Sequence, residues 1–120
     1  MSEPQTQPAS FSAYDAFQKV EMRVGRIVRV EPNTRARKPS YKLWIDFGPE
    51  LGTKTSSAQI VANYTPEQLL NRLVVCATNL GTRNIAGFQS EVLTMGMDDE
   101  NKNVVLLQPT SEVPLGVRIY

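Results

Sequence analysis

The side chains best equipped for chemistry gather in two loops and the stretch that follows the second. "PNTRARKPS" carries Arg35, Arg37 and Lys38 between proline and glycine-free turn residues, and "GTRNIAG" carries Arg83 and Asn84. "QSE" then sets an amide, a hydroxyl and a carboxylate (Gln89, Ser90, Glu91) where a second apolar run begins. Guanidiniums grip phosphate or carboxylate bidentately, so the loops suit an anionic or polar ligand. Catalysis is harder to build. The chain has no histidine and one cysteine, which excludes histidine-based triads, imidazole acid–base chemistry and a transition-metal cluster. No "GxxxxGK" phosphate loop is present. A non-enzymatic protein without cofactor or metal is expected.

Charge is unevenly spread. The net charge of the 120 residues is +1, yet Arg23–Lys42 holds seven cations against Glu31 alone, leaving the rest of the chain acidic. Such a window predicts a local electropositive surface on an acidic body. For Arg23 and Arg29, on a strand face, simple solvation is the expectation. The loop cations could equally be a solubility patch.

Length and composition predict one domain with a sizeable core. No apolar run approaches the ~20 residues of a membrane span, and no signal-peptide core is seen, so a cytoplasmic protein without membrane insertion is expected. Cys76, within "LVVCATN", reads as a buried core thiol.

Residues 1–11 are polar and proline-bearing, which predicts a flexible arm ahead of a domain over 12–120. Ser12 can cap a short helix reaching about Lys19, with Tyr14 and Phe17 on one face. In "VEMRVGRIVRVE", Val20, Met22, Val24, Val28 and Val30 share a parity that breaks at Gly25-Arg26-Ile27, where a bulge or bend is expected. "YKLWIDFG" alternates Tyr41, Leu43, Ile45 and Phe47 inward, putting Lys42, Trp44 and Asp46 outside. "GTKTSSAQI" reads as a polar third strand. Thr65, Pro66 and Gln68 form a strong helix start. "LVVCATNL" reads as a buried strand, "FQSEVLTM" as a fifth, "DDENKN" as a charged turn, and "VVLLQP" and "GVRIY" as short edge additions.

Three strands, a helix and two more strands predict an all-β fold with short helices: a five-stranded OB-type Greek-key barrel with an N-terminal helix and a C-terminal strand extension. A β-sandwich is the alternative. OB barrels bind ligands on the face of strands two and three, walled by the first–second and fourth–fifth strand loops. That frame gathers Arg35, Arg37 and Lys38, Arg83 and Asn84, and an outer face carrying Lys42, Trp44 and Ser56 or Ser57. Trp44 could stack on a base, or be covered by the N-terminal helix or a partner subunit. The serines could merely satisfy an edge strand, and Arg83 could clamp Glu91.

"FQKVEMRVGRIV", "KLWIDFG", "SSAQI", "VVCATNL" and "RNIAGFQSEVLTMG" together closely resemble the CsaA-type secretion chaperones, free-standing relatives of the tRNA-binding OB module of some aminoacyl-tRNA synthetases. The similarity runs from about Phe17 to Tyr120. It implies a cytoplasmic homodimer binding unfolded polypeptides or preproteins, or tRNA through the region of Asn79, Arg83 and Ser90. Gln89 stands where those tRNA modules usually have a basic residue. It also implies dimerisation through the N-terminal helix and the C-terminal segment, with Tyr14, Phe17, Ile119 and Tyr120 at the interface. The leading expectation is an ATP-independent export-related chaperone. The alternative is a tRNA-binding module acting in trans with a synthetase, and a pure dimeric scaffold is a third.

Overall fold

A computed structural model of the chain describes residues 12–120; the arm expected over 1–11 lies outside the described residues. Helix α1 (Ala13–Lys19) begins at Ser12, whose hydroxyl accepts from the Asp15 amide at 3.1 Å. None of its residues is buried. The body starts with β1 (Met22–Pro32), followed by β2 (Tyr41–Asp46), α2 (Gly48–Leu51) and β3 (Thr53–Ala58). Then come α3 (Pro66–Leu69), β4 (Leu73–Ala77), β5 (Arg83–Ile85), β6 (Phe88–Ser90), β7 (Leu93–Thr94), β8 (Gly96–Asp98) and β9 (Val104–Leu106).

The main sheet runs β3-β2-β1-β4-β7, antiparallel throughout. It curls until the Glu91 and Val92 amides both donate to the Thr55 carbonyl, at 2.8 and 3.1 Å. This is the expected five-stranded OB barrel, nearly closed. The capping box at Thr65 and Gln68 forms as expected, and α3 drops Leu69, fully buried, into the core.

β1 serves two neighbours, and this changes its predicted pattern. Its first half pairs with β4 and its second with β2. Gly25 is no bulge: a Cβ there would lie 2.5 Å from Ile45 Cγ2 and 2.7 Å from Phe47, so the glycine is required by close packing. The irregularity falls instead between Ile27 and Arg29. The extra residue, Val28, is 44% exposed, contrary to its place in the apolar parity. Because one extra residue reverses the alternation, Ile27 before it and Val30 after it both pack in the main core.

Met22 and Val24 join Leu73 and Val75 in a second cluster, covered by Val113, Leu115 and Ile119. The C-terminal segment lies along the first half of β1, with the Gly116 and Ile119 amides donating to Val24 and Met22 carbonyls at 2.8 Å. β4 is therefore buried on both faces, which explains its unbroken apolar run.

Two further expectations change. "GTRNIAG" is not a loop but most of a hairpin: β5 and β6 pair through a turn at Ala86 and Gly87, both at positive φ. "FQSEVLTM" is not one strand but β6 and β7, divided at Glu91 and Val92 where the barrel closes. The charged turn forms, with Asp99 accepting from the Asn101 and Asn103 amides at 2.8 and 2.9 Å.

Candidate binding groove

The β1–β2 loop is held by Asn33, which is buried and whose Oδ1 accepts from the Arg35 backbone amide at 3.1 Å, while its backbone N–H donates to the Ser40 carbonyl at 3.0 Å. The loop thus projects Arg35, Arg37 and Lys38 from a fixed base. Across from it, the β5–β6 hairpin presents Arg83 and Asn84. Between them lies a groove of about 600 Å³, floored by Ser40, Ser57 and Gln59, with Ile85 and Ala86 adding apolar lining. The two walls approach at Gly87, where a Cβ would meet Arg35 Nη1 at 2.5 Å. A glycine at φ 83° permits both the turn and that approach.

The basic window divides into paired strand arginines, unpaired loop cations, and Lys42, which lies over Phe88 beside the groove. Arg23 pairs with Glu21 and Arg26 with Glu112, at 3.2 and 2.6 Å, and Arg29 pairs with Glu31. These strand arginines are neutralised rather than simply solvated. Among the described residues, Arg35, Arg37, Lys38 and Arg83 pair with no carboxylate, and all four line the groove. Three of the window's four unpaired cations therefore line the groove, joined there by Arg83.

Ser40 adds an orphan: it is 5% exposed, lines the groove, and its Oγ has no hydrogen-bond partner among the described residues. A buried hydroxyl left unpaired is costly, so a ligand oxygen reaching it would be rewarded. Sequence reasoning missed Ser40 and Gln59: Ser40 ends the first loop without a charge to mark it, and Gln59 lies just past β3.

Several expected site residues lie elsewhere. Ser56 is fully buried and accepts from Thr94 Oγ1 at 2.8 Å, so of the two serines only Ser57 is on the outer face. Ser90 is 8% exposed, its Oγ accepting from the Ser57 amide at 2.9 Å and donating to the Val92 carbonyl at 3.3 Å. It joins the hairpin to β3 beneath the groove. Glu91 accepts from Thr55 and forms no ion pair with Arg83. Asn79 ties the start of the β4–β5 loop to the end of α1, accepting from the Glu21 amide and donating to the Lys19 carbonyl, both at 2.8 Å.

Lys42 and Trp44 do share the outer face of β2, but beside the groove. Among the described residues, Trp44 is packed by its own sheet and the hairpin rather than by α1. The Arg29 guanidinium sits 4.4 Å from its ring centre, and Phe88 packs edge-on at 5.5 Å. Lys42 Nζ lies 5.5 Å from the other aromatic, Phe88. These contacts pin the hairpin to the sheet. At the chain ends, Tyr14 is 68% exposed, Phe17 42% and Tyr120 fully, whereas Ile119 packs within the second cluster.

A nearly closed OB barrel with a cation-lined groove between its β1–β2 loop and its β5–β6 hairpin has the frame in which OB barrels bind ligands. The family model described as "Putative tRNA binding domain" matches residues 22–118, and the chain belongs to that family. It is 35% identical over 113 residues to the methionine–tRNA ligase of Pyrococcus furiosus; this spans 94% of the chain but only 15% of the ligase. Among solved structures it superposes on the chaperone CsaA of Bacillus anthracis with TM-score 0.85 and 41% identity, covering 92% of this chain and 100% of that one. A methionyl-tRNA synthetase-related protein of Pyrococcus horikoshii gives TM-score 0.80 and 28% identity, covering 92% and 99%. Among the described residues no helix is long and apolar enough to cross a membrane.

Proposed function

We propose that the protein is a non-enzymatic tRNA-binding module whose groove holds the phosphate backbone, acting in trans with a synthetase. The carrying observation is that Arg35, Arg37, Lys38 and Arg83 converge on one groove without a carboxylate partner, while the strand arginines nearby are paired. Unpaired guanidiniums around a concave surface recruit a polyanion, and the unsatisfied Ser40 hydroxyl can donate to a phosphate oxygen. The family match and the ligase relatives support the same reading. The site then comprises those five residues with Ser57 and Asn84, while Lys42, Trp44, Asn79 and Ser90 hold its walls.

A second reading is favoured by different observations. The end-to-end likeness to the chaperone of Bacillus anthracis supports a homodimeric, ATP-independent chaperone for unfolded polypeptides or preproteins. Among the described residues β5 pairs with β6 alone, so its other edge can add an extended peptide as a strand.

Titrating labelled tRNA and an unfolded peptide against the wild type and the Arg35→Ala/Arg37→Ala/Lys38→Ala variant separates the two. The tRNA reading expects tRNA affinity to collapse in the variant. If wild type holds peptide but no tRNA at low salt, the chaperone reading replaces it.

A further inference from the structure

The groove does not end at Lys38. A second concavity, of about 520 Å³, shares Lys38 and Gln59 with it and extends to the β8–β9 turn. One line of residues floors both. Ser57, Gln59 and Val61 point outward from the segment leaving β3, while Ala58 and Ile60 between them are buried. Pro39, Val61 and Val104 give this second space apolar walls, and Asp98 and Lys102 give it one carboxylate and one ammonium.

The two aspartates of the turn are used differently. The Asn103 amide, with help from the Asn63 side chain and the Asn101 amide, holds the Asp99 carboxyl below its ordinary range. Asp98, its neighbour, accepts no side-chain hydrogen bond among the described residues and lines the concavity instead. A phosphate would not choose a site beside a free carboxylate. A group with apolar faces and a hydrogen-bond-donating edge would.

Resting on the RNA reading of the first groove, we propose that this second concavity receives one unstacked guanine base. In a nucleotide the base hangs one sugar away from the phosphate, so a phosphate held at Lys38 puts its base within reach of the adjoining space. The apolar walls of Pro39, Val61 and Val104 can pack against the planar faces of a base. Guanine offers N1–H and the 2-amino group side by side to the two oxygens of Asp98, with O6 as an acceptor for Lys102. Adenine presents no such pair of donors, and cytosine presents only its 4-amino group. Single-stranded segments are the parts of RNA whose base edges are open to this kind of contact.

The test compares short oligouridylates carrying one central guanosine, adenosine or inosine, by fluorescence anisotropy at fixed low salt. Wild type should prefer guanosine over adenosine on the order of tenfold. Inosine, lacking the 2-amino group, should fall between them. Asp98→Asn should lose the preference while keeping the salt slope for tRNA. Equal binding of all three oligonucleotides, or a preference surviving in Asp98→Asn, would overturn the proposal. So would an Asp98→Asn change in affinity for an unfolded peptide with RNA binding unaltered. If wild type binds tRNA with a steep salt slope but shows no guanosine preference, only this inference fails. If it binds no RNA at all, the underlying reading fails too.

Discussion

Glu91 Oε1 lies 3.0 Å from both the backbone nitrogen and the hydroxyl oxygen of Thr55. The carboxylate therefore substitutes for a strand carbonyl at the seam of the barrel, and the carbonyl of Thr55 takes the Glu91 and Val92 amides in return. Hydrogen bonds to an ionised group contribute more than neutral ones, about 1.5–3 kcal/mol each when a partner is lost. Glu91→Ala should lower unfolding stability by about 2 kcal/mol in a denaturant titration, and Glu91→Gln by less. A loss within about 0.5 kcal/mol would mean the seam does not depend on the carboxylate.

Trp44 should act on binding through the hairpin rather than through the ligand. Its ring meets Phe88 of β6 and the Arg29 guanidinium, and it does not line the groove. Trp44→Ala should weaken tRNA binding several-fold, since Arg83 loses its fixed position, and lower the salt slope by at most the share of that one cation, roughly 0.7 to 0.9. A larger reduction would show that Trp44 or Arg29 touches the backbone directly.

Much of this was legible in the sequence where a local rule decides it. The alternation of Tyr41, Leu43, Ile45 and Phe47 placed Lys42 and Trp44 outside, and Thr65-Pro66-Gln68 located a helix start. The frame of two loops walling the face of strands two and three brought together Arg35, Arg37, Lys38 and Arg83, which line one groove, although Lys42 and Trp44 lie beside it. What escaped was non-local. The displaced irregularity in β1 arises because that strand changes partners from β4 to β2, which no feature of Val28 announces. The β5–β6 turn requires Ala86 at φ 51°, a conformation that alanine does not advertise. The choice between Ser56 and Ser57 follows from register, Lys42 opposite Ser57 and Leu43 opposite Ser56. The roles of Ser90 and Glu91 appear only once the barrel closes.

The buried thiol gives a pH signature. Burial raises the Cys76 pKa from its ordinary 9.0 to about 12, partly offset by the hydrogen bond with Thr94. Above pH 9 the unfolded chain releases this proton while the folded one keeps it, so the unfolded state gains. The contribution is thus complete below pH 9 and is lost as pH rises towards 12, at about 1.4 kcal/mol per unit. Alkaline unfolding curves should show this loss, and Cys76→Ser should reduce it. The native thiol should also resist thiol reagents at pH 8; rapid labelling of the folded protein would contradict its burial.

Among the described residues, none of those in helix α1 is buried, although it carries Tyr14 and Phe17. A seven-residue helix is marginal in water unless its apolar face is covered. We expect a second copy to cover it, with Tyr120 close by. Light scattering should give a dimer at micromolar concentration, and Tyr14→Asp/Phe17→Asp a monomer. A wild-type monomer at that concentration would sink the dimer.

The most direct test of the central claim is the salt dependence of tRNA binding in wild type and in the Arg35→Ala/Arg37→Ala/Lys38→Ala/Arg83→Ala variant. If these four cations neutralise phosphates, the wild-type plot of log K against log salt should fall with a slope on the order of −3. The variant should be nearly flat and bind far more weakly, whereas Arg26→Ala, whose guanidinium is already paired with Glu112, should keep the wild-type slope. Equal slopes in wild type and the groove variant would contradict the account.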